Sequence, residues 1–328
     1  MEKIQYFIPA VSAFVFAVIL AKVMIPFLHR LKFGQSIREE GPKWHKSKSG
    51  TPTMGGIIFI IPAVLAVLCG GAVFPDRNKA FVIMATALSF GTVGFADDYI
   101  KVVKKRNLGL TSKQKMLLQI ICTVAFLASI TITGDISTEL YIPFVGLRIK
   151  LGVFYYLFAV FAITAMVNAV NLTDGIDGLA TGVTIVALTG LTVFAFIVGQ
   201  KSVALSMIVL TASLCGFFIF NKNPAKVFMG DTGSLFLGGF IAACVFEMNV
   251  PLIFLFVGFM YTVETVSVSL QVLYFKATHG KRLFKMSPIH HHFELSGWKE
   301  NKIVAVFTTV TAIMSIIGVI GFINYMSV

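Results

Sequence analysis

The amino-acid sequence predicts an all-α protein that crosses a membrane about ten times and forms one integral membrane domain over residues 1–328. Hydrophobic residues make up 57% of the chain and charged residues only 13%, whereas soluble domains carry roughly 25% charged residues. The apolar residues form long runs, most of them close to the ~20 residues that a spanning helix needs. The charged residues lie mainly between these runs, which is typical of a polytopic membrane protein.

Ten apolar runs are candidate spans, and the shortest or most glycine-rich are the second, fifth and eighth. They cover residues 4–28, 53–70, 79–97, 114–133, 153–170, 178–198, 202–220, 234–248, 251–275 and 302–326. An even number of spans places both termini on the same side of the membrane.

Basic residues assign the sides. Twenty of the 27 lysines and arginines fall on one set of loops and six on the other, with Lys22 inside the first span. The positive-inside rule places the rich loops in the cytoplasm and both termini outside. The net charge of +12 is spread over short loops, which favours anionic lipid and anionic substrates and argues against nucleic acid. On the outer side, alternation around Phe144-Val145-Gly146 predicts a small β-hairpin.

Two adjacent carboxylates, Asp97 and Asp98, end an apolar run in the segment DDYIK. A helix C-terminus disfavours negative charge, and neighbouring carboxylates repel each other. A magnesium ion, the proton of a lipid phosphate, or the side chains of Lys101 and Lys113 would relieve this repulsion. A solvated helix end is the alternative interpretation.

The segment NAVNLTDGIDGL places Asp174 and Asp177 three residues apart at a membrane edge, after Asn171. Polar groups are costly there unless they have a role. Glycines beside each carboxylate leave the backbone accessible. A calcium loop is a rival interpretation, but the later glutamate of an EF-hand is missing.

The segment NKNPAKVFMGDTGS separates two apolar runs and carries the carboxylate of Asp231 between Gly230 and Gly233. A carboxylate binds hard metal ions, and the glycines let phosphate oxygens approach the backbone. Phe228 is expected either to stack on a base or sugar or to pack at the interface. We interpret this stretch as a loop that forms one wall of a polar site.

Further polar segments fall on the same side. SGTPTMGG, after Lys48, presents Thr53 at the start of a span, either for an anion or as a helix cap. Thr111 or Ser112 is the expected N-cap of the next helix. His290, His291 and His292 are consecutive and cannot all face one metal ion, but one or two could donate to a diphosphate.

Together, DDYIK, NLTDGIDGL, NKNPAKVFMGDTGS and SPIHHHFELSGW resemble the polyprenyl-phosphate N-acetylhexosamine-1-phosphate transferase superfamily. The aspartate motifs mark the superfamily, and PIHHHFE is most specific to its phospho-N-acetylmuramoyl-pentapeptide-transferase branch. The resemblance runs from TPTMGG to the last span and so covers nearly the whole chain.

The resemblance implies transfer of a phospho-sugar from UDP-N-acetylmuramoyl-pentapeptide to undecaprenyl phosphate, giving lipid I and UMP with Mg²⁺ as cofactor. It also implies ten transmembrane helices around a cytoplasmic cleft, in the inner membrane of a bacterium and as a homodimer. Asp231 would bind the metal ion, Phe228 would stack on uracil, and Asp97 or Asp98 would act as base on the acceptor phosphate. Direct attack by the lipid phosphate is favoured over an aspartyl intermediate.

The residues expected to carry the reaction form three sets. The catalytic set is Asp97, Asp98, Asp231 and His290. The metal ligands are Asp231 and Asp174. The substrate-binding set is Lys48, Thr53, Lys101, Lys113, Asn171, Asp174, Asp177, Asn221, Phe228, Gly230, Ser234, Gln271, His290, His291 and His292.

Three rival functions stay open at the level of the sequence. A sister enzyme would transfer another sugar phosphate, such as N-acetylglucosamine phosphate. A cation transporter would use the aspartates as ligands, but it predicts carboxylates near mid-membrane rather than at loop edges. A lipid-binding scaffold would leave the acidic groups beside an anionic head group unexplained.

Overall fold

The structure is a computed structural model that describes residues 2–31, 50–103 and 109–323. Within these ranges the chain is mainly helical, with one two-stranded sheet. The first elements are α1 (Glu2–Arg30), α2 (Ile57–Gly71), α3 (Arg77–Val103), α4 (Ser112–Ile132), β1 (Glu139–Ile142), β2 (Leu147–Lys150) and α5 (Phe154–Thr173). The rest are α6 (Leu179–Ile197), α7 (Lys201–Asn221), α8 (Gly230–Glu247), α9 (Phe254–Val257), α10 (Phe259–Ala277), α11 (Ile289–Glu294) and α12 (Glu300–Gly321).

Seven of the described helices are long and apolar enough to cross a membrane, and α9 and α10 with the short turn before them give an eighth span if counted together. The span predicted over 251–275 is broken into two helices, because the chain bends by 86° between Val257 and Phe259. Gly258 sits at the bend against Phe254, where an added Cβ would come within 2.7 Å of the ring. The second run forms only the 15-residue helix α2.

The centre of the bundle is α8, whose residues from Thr232 to Glu247 are all buried. It lies antiparallel to α3, since Asp98 contacts Thr232 at one end of the pair and Lys79 contacts Glu247 at the other. The two helices approach closely where a glycine replaces a side chain. A Cβ at Gly94 would collide with the backbone carbonyl of Asp231, which is the kind of contact that small residues permit between membrane helices.

The predicted hairpin is confirmed. β1 and β2 pair antiparallel with Glu139 opposite Lys150, and the turn contains Phe144 and Gly146, both with positive φ. The tip packs on the end of α12, where the Phe144 N–H donates to the carbonyl of Gly321 at 2.9 Å. The hairpin therefore lies at the end of the bundle opposite to Asp231.

Candidate active site

Three carboxylates meet where α3 reaches the start of α8. Asp97, Asp98 and Asp231 each offer an oxygen, and these oxygens lie within 4.8 Å of one another. The aspartates of α3 lie inside the helix, because α3 continues to Val103 rather than ending at them. Asp231 is likewise in the first turn of α8 rather than in a loop. The predicted helix end and loop are therefore both corrected, while the convergence of the three aspartates is as the motifs suggested.

Asp98 caps α8 from the neighbouring helix. Its Oδ2 accepts hydrogen bonds from the backbone N–H of Thr232 at 2.9 Å and from the Thr232 hydroxyl at 2.7 Å. Its Oδ1 accepts from the N–H of Asp231 at 3.2 Å. The first backbone N–H groups of a helix have no partner within the helix, and they favour a nearby negative charge. The Asp98 carboxylate therefore stabilises the N-terminus of α8, which begins at Gly230. Gly230 has φ +70, and a Cβ there would come within 2.5 Å of Asp98 Oδ2.

Asp231 is held by three nitrogen donors from three other helices. Asn171 of α5 donates to Oδ1 at 2.8 Å and also reaches the Ser234 hydroxyl at 2.7 Å. Lys101 of α3 and Lys115 of α4 donate to Oδ2 at 2.7 and 2.9 Å. The carboxylate thus points to a position where four helices converge.

Asp97 is the third member of the carboxylate triad, by which we mean Asp97, Asp98 and Asp231. Its Oδ1 accepts from the backbone N–H of Leu110 at 2.8 Å, and its Oδ2 lies 2.5 Å from the Lys101 ammonium. Unlike Asp98, it accepts no hydrogen bond from the backbone at the start of α8 in the described residues, although its carboxyl lies against that of Asp231. Lys101 has 35% of its side chain exposed, whereas Asp97 has only 4%. The open side of the triad is therefore the side of Lys101.

Lys115, rather than Lys113, reaches the triad. Lys113 is exposed at the start of α4, where Thr111 forms the predicted cap by accepting from the N–H of Gln114. A sequence signal for Lys115 was present: Lys115, Gln119 and Thr123 are polar residues spaced by four, which places them on one face of α4. Gln119 and Thr123 are fully buried, so that face points inward.

The segment 52–56 forms a second wall of the site through its backbone. The N–H of Phe228 donates to the carbonyl of Pro52 at 2.8 Å, and the N–H of Gly55 donates to the carbonyl of Phe228 at 2.8 Å. This pairing brings the Thr53 hydroxyl to Gly230, where an added Cβ would lie 2.7 Å from it. The ring of Phe228 stays partly exposed beside these contacts. A Cβ at Gly56 would come within 2.5 Å of Gly233.

Asp174 caps the end of α5 on the same side of the bundle. Burial raises the pKa of its carboxyl to about 8, and the charges of Asp231, Asp98 and Asp177 act in the same direction. Asp174 is not one of the three carboxylates that converge, so its predicted role as a metal ligand finds less support in the geometry than that of Asp231.

Asp177 and Asn221 hold the segment between α7 and α8. Asp177 accepts from the side chain of Asn223 at 3.0 Å and from the N–H of Ala225 at 2.9 Å. Asn221 accepts from the Thr181 hydroxyl at 2.7 Å and donates to the carbonyl of Val227 at 3.0 Å. Both polar ends of the Asn221 amide are therefore engaged inside the protein, although the sequence suggested substrate contact.

The histidine run divides among three environments. His290 is fully buried, and its Nδ1 lies 3.0 Å from Glu264 of α10. The edge of its ring at Nε2 abuts Gly175, next to Asp174. His291 pairs with Glu294 at 2.7 Å. The Nδ1 of His292 accepts from the N–H of Lys285 at 3.1 Å.

Gln271 fixes the backbone before the histidines. Its side-chain oxygen accepts from the N–H groups of Leu283 and Phe284 at 3.1 and 2.8 Å, and its amide donates to the carbonyl of Phe284 at 3.2 Å. This geometry gives Gln271 a supporting position. Lys48, the remaining predicted site residue, lies outside the described residues.

Comparisons with known proteins identify the family. Residues 80–249 match the family model described as glycosyl transferase family 4, and residues 48–60 match phospho-N-acetylmuramoyl-pentapeptide-transferase signature 1. The phospho-N-acetylmuramoyl-pentapeptide-transferase of Staphylococcus carnosus is 48% identical over 309 residues, which is 94% of this chain and 96% of the relative. That of Listeria monocytogenes is 48% identical over 296 residues, 90% of this chain and 91% of the relative. The chain belongs to the phospho-N-acetylmuramoyl-pentapeptide-transferase family.

Membership of the phospho-N-acetylmuramoyl-pentapeptide-transferase family makes the chain a multi-pass membrane transferase. It also gives the triad a chemical meaning. Three carboxylates within 4.8 Å offer the oxygen donors that a hard divalent cation prefers. Two lysines at the same point supply positive charge for phosphate oxygens. The residues present therefore fit a metal-assisted phosphoryl transfer.

Proposed function

We propose that this chain transfers phospho-N-acetylmuramoyl-pentapeptide from its UDP-linked donor to undecaprenyl phosphate. The products are lipid I and UMP, and the reaction is the first membrane step of peptidoglycan synthesis. Relatives of that name align over 94% of the chain. The observation that carries the proposal is the carboxylate triad with two lysines, at one end of a helical bundle.

The metal ion in this proposal is Mg²⁺, with Asp231 as its principal ligand and Asp97 or Asp98 as a second donor. When bound, Mg²⁺ would supply positive charge that neutralises the negative charge developing on the phosphate. Asp231 is suited to this role because Asn171 fixes one of its oxygens while the other faces the two lysines. Asp174 then acts as a neighbouring group that lines the donor pocket.

The reaction proceeds by direct attack. An oxygen of the lipid phosphate forms a bond to the sugar-bound phosphorus of the donor, while the bond from that phosphorus to the bridging oxygen breaks and UMP leaves with the electron pair. Asp97 is the better candidate to accept a proton from the lipid phosphate. Asp98 already accepts three hydrogen bonds from the start of α8. Asp97 accepts one backbone hydrogen bond, from Leu110, and its carboxyl otherwise faces Lys101 and Asp231.

The donor lies along the wall formed by segments 52–56 and 228–231. Phe228 presents its partly exposed ring for stacking on uracil. Thr53, Gly230 and Ser234 flank the phosphates. His290 faces Gly175 with a buried Nε2 that has no hydrogen-bond partner among the described residues, which suits contact with the diphosphate region. His291 and Lys101 complete the anion-binding face.

The bundle is proposed to cross the membrane ten times. The buried helix α8 and the short helix α2 alternate in direction with their neighbours, and together with the eight spans they complete that number. Both termini then lie on the extracytoplasmic side and the triad faces the cytoplasm, as the charge bias predicts. We place the protein in the bacterial inner membrane, as a single domain that forms a homodimer.

The experiment is an assay of UMP release by purified protein with undecaprenyl phosphate, with and without Mg²⁺. UDP-N-acetylmuramoyl-pentapeptide and UDP-N-acetylglucosamine are compared as donors. We expect Mg²⁺-dependent UMP release with UDP-N-acetylmuramoyl-pentapeptide and none with UDP-N-acetylglucosamine. Formation of lipid-linked N-acetylglucosamine without a muramoyl product would establish the sister activity instead. A cation transporter would show no UMP release with either donor.

A further inference from the structure

Lys101 occupies the centre of the carboxylate triad. Its ammonium lies 2.5 Å from Asp97, 2.7 Å from Asp231 and 4.0 Å from Asp98. Lys115, by comparison, contacts only Asp231, at 2.9 Å. In the part of the chain that the structure describes, Lys101 is thus the cation shared by all three carboxylates. The Lys101 ammonium therefore contacts the same carboxylate oxygens that would coordinate a divalent cation.

The carboxylates are fixed independently of Lys101. Asp98 is bound by the first amides of α8, and Asp97 accepts from the N–H of Leu110. Asp231 is bound by Asn171 and Lys115. Removal of the Lys101 ammonium would therefore leave a preformed set of oxygens rather than a collapsed one.

Lys101 is also the member of the cluster that can move. Its side chain is 35% exposed, while those of Asp97 and Asp98 are each 4% exposed. A lysine carries its charge on a flexible four-carbon chain, so the ammonium can swing several ångströms without backbone movement. A divalent cation among the carboxylates would repel the ammonium towards the exposed side.

We propose that Lys101 is an exchangeable occupant of the metal position, which the metal ion displaces towards the substrate phosphate. Metal binding then releases a phosphate-binding cation, and a bound phosphate holds Lys101 away from the triad. Each event favours the other, because a coupling free energy between two sites is reciprocal. This inference rests on the proposed metal-dependent function of the same triad.

The first test follows the reactivity of the Lys101 amine in wild-type protein. An amine-acylating reagent is applied with no metal, with Mg²⁺, and with Mg²⁺ plus UMP, and modified peptides are quantified by mass spectrometry. Lys101 is expected to react faster with Mg²⁺ and to be protected again by UMP. Lys276, exposed at the end of α10, is the matched control and should react equally in all three conditions. A Lys101 rate that Mg²⁺ leaves unchanged or lowers would overturn the exchange.

The second test measures Mn²⁺ binding by electron paramagnetic resonance, with and without UMP. In wild-type protein UMP should tighten Mn²⁺ binding about tenfold, within the usual range of coupling between sites. Lys101→Met should bind Mn²⁺ more tightly than wild type in the absence of UMP and lose the effect of UMP. Lys276→Met should behave as wild type.

The outcomes separate this inference from the function beneath it. Mn²⁺ binding with the same UMP effect in wild type and Lys101→Met would overturn the exchange and leave the metal site standing. Absence of Mn²⁺ binding in wild-type protein would overturn both.

Discussion

The two ends of the α3–α8 pair both carry lysine–carboxylate contacts, but they are built differently. At the active-site end, Lys101 and Lys115 meet three carboxylates that helix amides and Asn171 hold in place. At the far end, Lys79 bridges Asp135 at 2.9 Å and the buried Glu247 at 3.5 Å. An ion pair between the same helices is thus not enough for a site. The difference lies in the convergence of several carboxylates on one open position.

The largest expected effect is a difference in turnover between substitutions of a carboxylate at each end of the α3–α8 pair. Asp231→Asn should lower turnover by about 10³-fold, because a positioned charge in the reacting centre is lost. Glu247→Gln, also in α8, should leave turnover close to wild type. UMP release is measured on both variants after thermal unfolding shows that they are folded. Equal losses from the two substitutions would refute the assignment of the site to one end.

Two glycines with positive φ test whether turnover depends on the close contact of Gly230 with Asp98 and Thr53 or on backbone strain alone. Gly230→Ala should lower turnover about 100-fold, since displacing reacting groups by about 1 Å has that effect. Its Cβ would press on Asp98 and Thr53. Gly199 has a similar φ of +74 at the far end, with nothing within 4 Å of an added Cβ.

The control for Gly230→Ala is therefore Gly199→Ala, which carries the strain without the contact. Turnover and the temperature of unfolding are measured for both. Gly199→Ala should lose some stability and keep its turnover. If it lost turnover as severely as Gly230→Ala, strain alone would account for the effect.

The two lysines of α4 provide the next test. Lys115→Met should lower turnover by about tenfold to hundredfold, the value of a hydrogen bond between charged groups. Lys113→Met should have the smaller effect, because the Lys113 side chain is exposed and Lys115 is the one that contacts Asp231. Kinetic constants for both variants decide between the geometry and the family resemblance, which favoured Lys113. A larger loss from Lys113→Met would support the resemblance.

The smallest effect concerns pH. The pKa of Asp174 is raised from 3.8 to about 8, first by burial and then by the charges of Asp231, Asp98 and Asp177. The folded state therefore binds a proton that the unfolded chain releases, so the free energy of unfolding falls as pH rises towards about 8 and levels off above it. Asp174→Asn should weaken this dependence, measured as the temperature of unfolding from about pH 6 to pH 9 without divalent cations.

Asp135 at the far end is the contrasting carboxyl. Burial alone would raise its pKa, but hydrogen bonds from Thr133 and Lys79 lower it below 3.8. Its stabilising charge is lost only in acid, as pH falls through that lowered pKa. Asp135→Asn should therefore keep the wild-type pH dependence near neutrality. If the temperature of unfolding of Asp135→Asn no longer depended on pH near neutrality, the assignment of this dependence to Asp174 would be refuted.

Much of the fold followed from sequence patterns of short range. Apolar runs indicated the helices, and the turn around Phe144 and Gly146 indicated the hairpin, because both signals depend on neighbouring residues. The bend at Gly258 was not predicted, although the contact of Gly258 with Phe254 is local in the sequence. A continuous run of apolar residues does not by itself distinguish a bent helix pair from a straight helix.

The same limit applies to the site. Asp97, Asp98 and Asp231 stood out because carboxylates are rare in apolar segments, and they do converge. The choice between Lys113 and Lys115 depended on the rotation of α4, since residues two apart in a helix point in nearly opposite directions. Asp177 and Asn221 carried the same polar signal as the triad, yet they bind the protein's own backbone. Composition does not distinguish a ligand for substrate from a support for a loop.

The glycines around the triad have a consequence for inhibitor resistance. Side chains at Gly56, Gly94 or Gly230 would collide with backbone or with the groups that hold the carboxylates. Gly56 and Gly94 are buried between packed segments, whereas Gly230 is partly exposed. A compound that contacts the polypeptide backbone at Gly230 would leave the cell few routes of escape there, because an added side chain would displace Asp98 or Thr53.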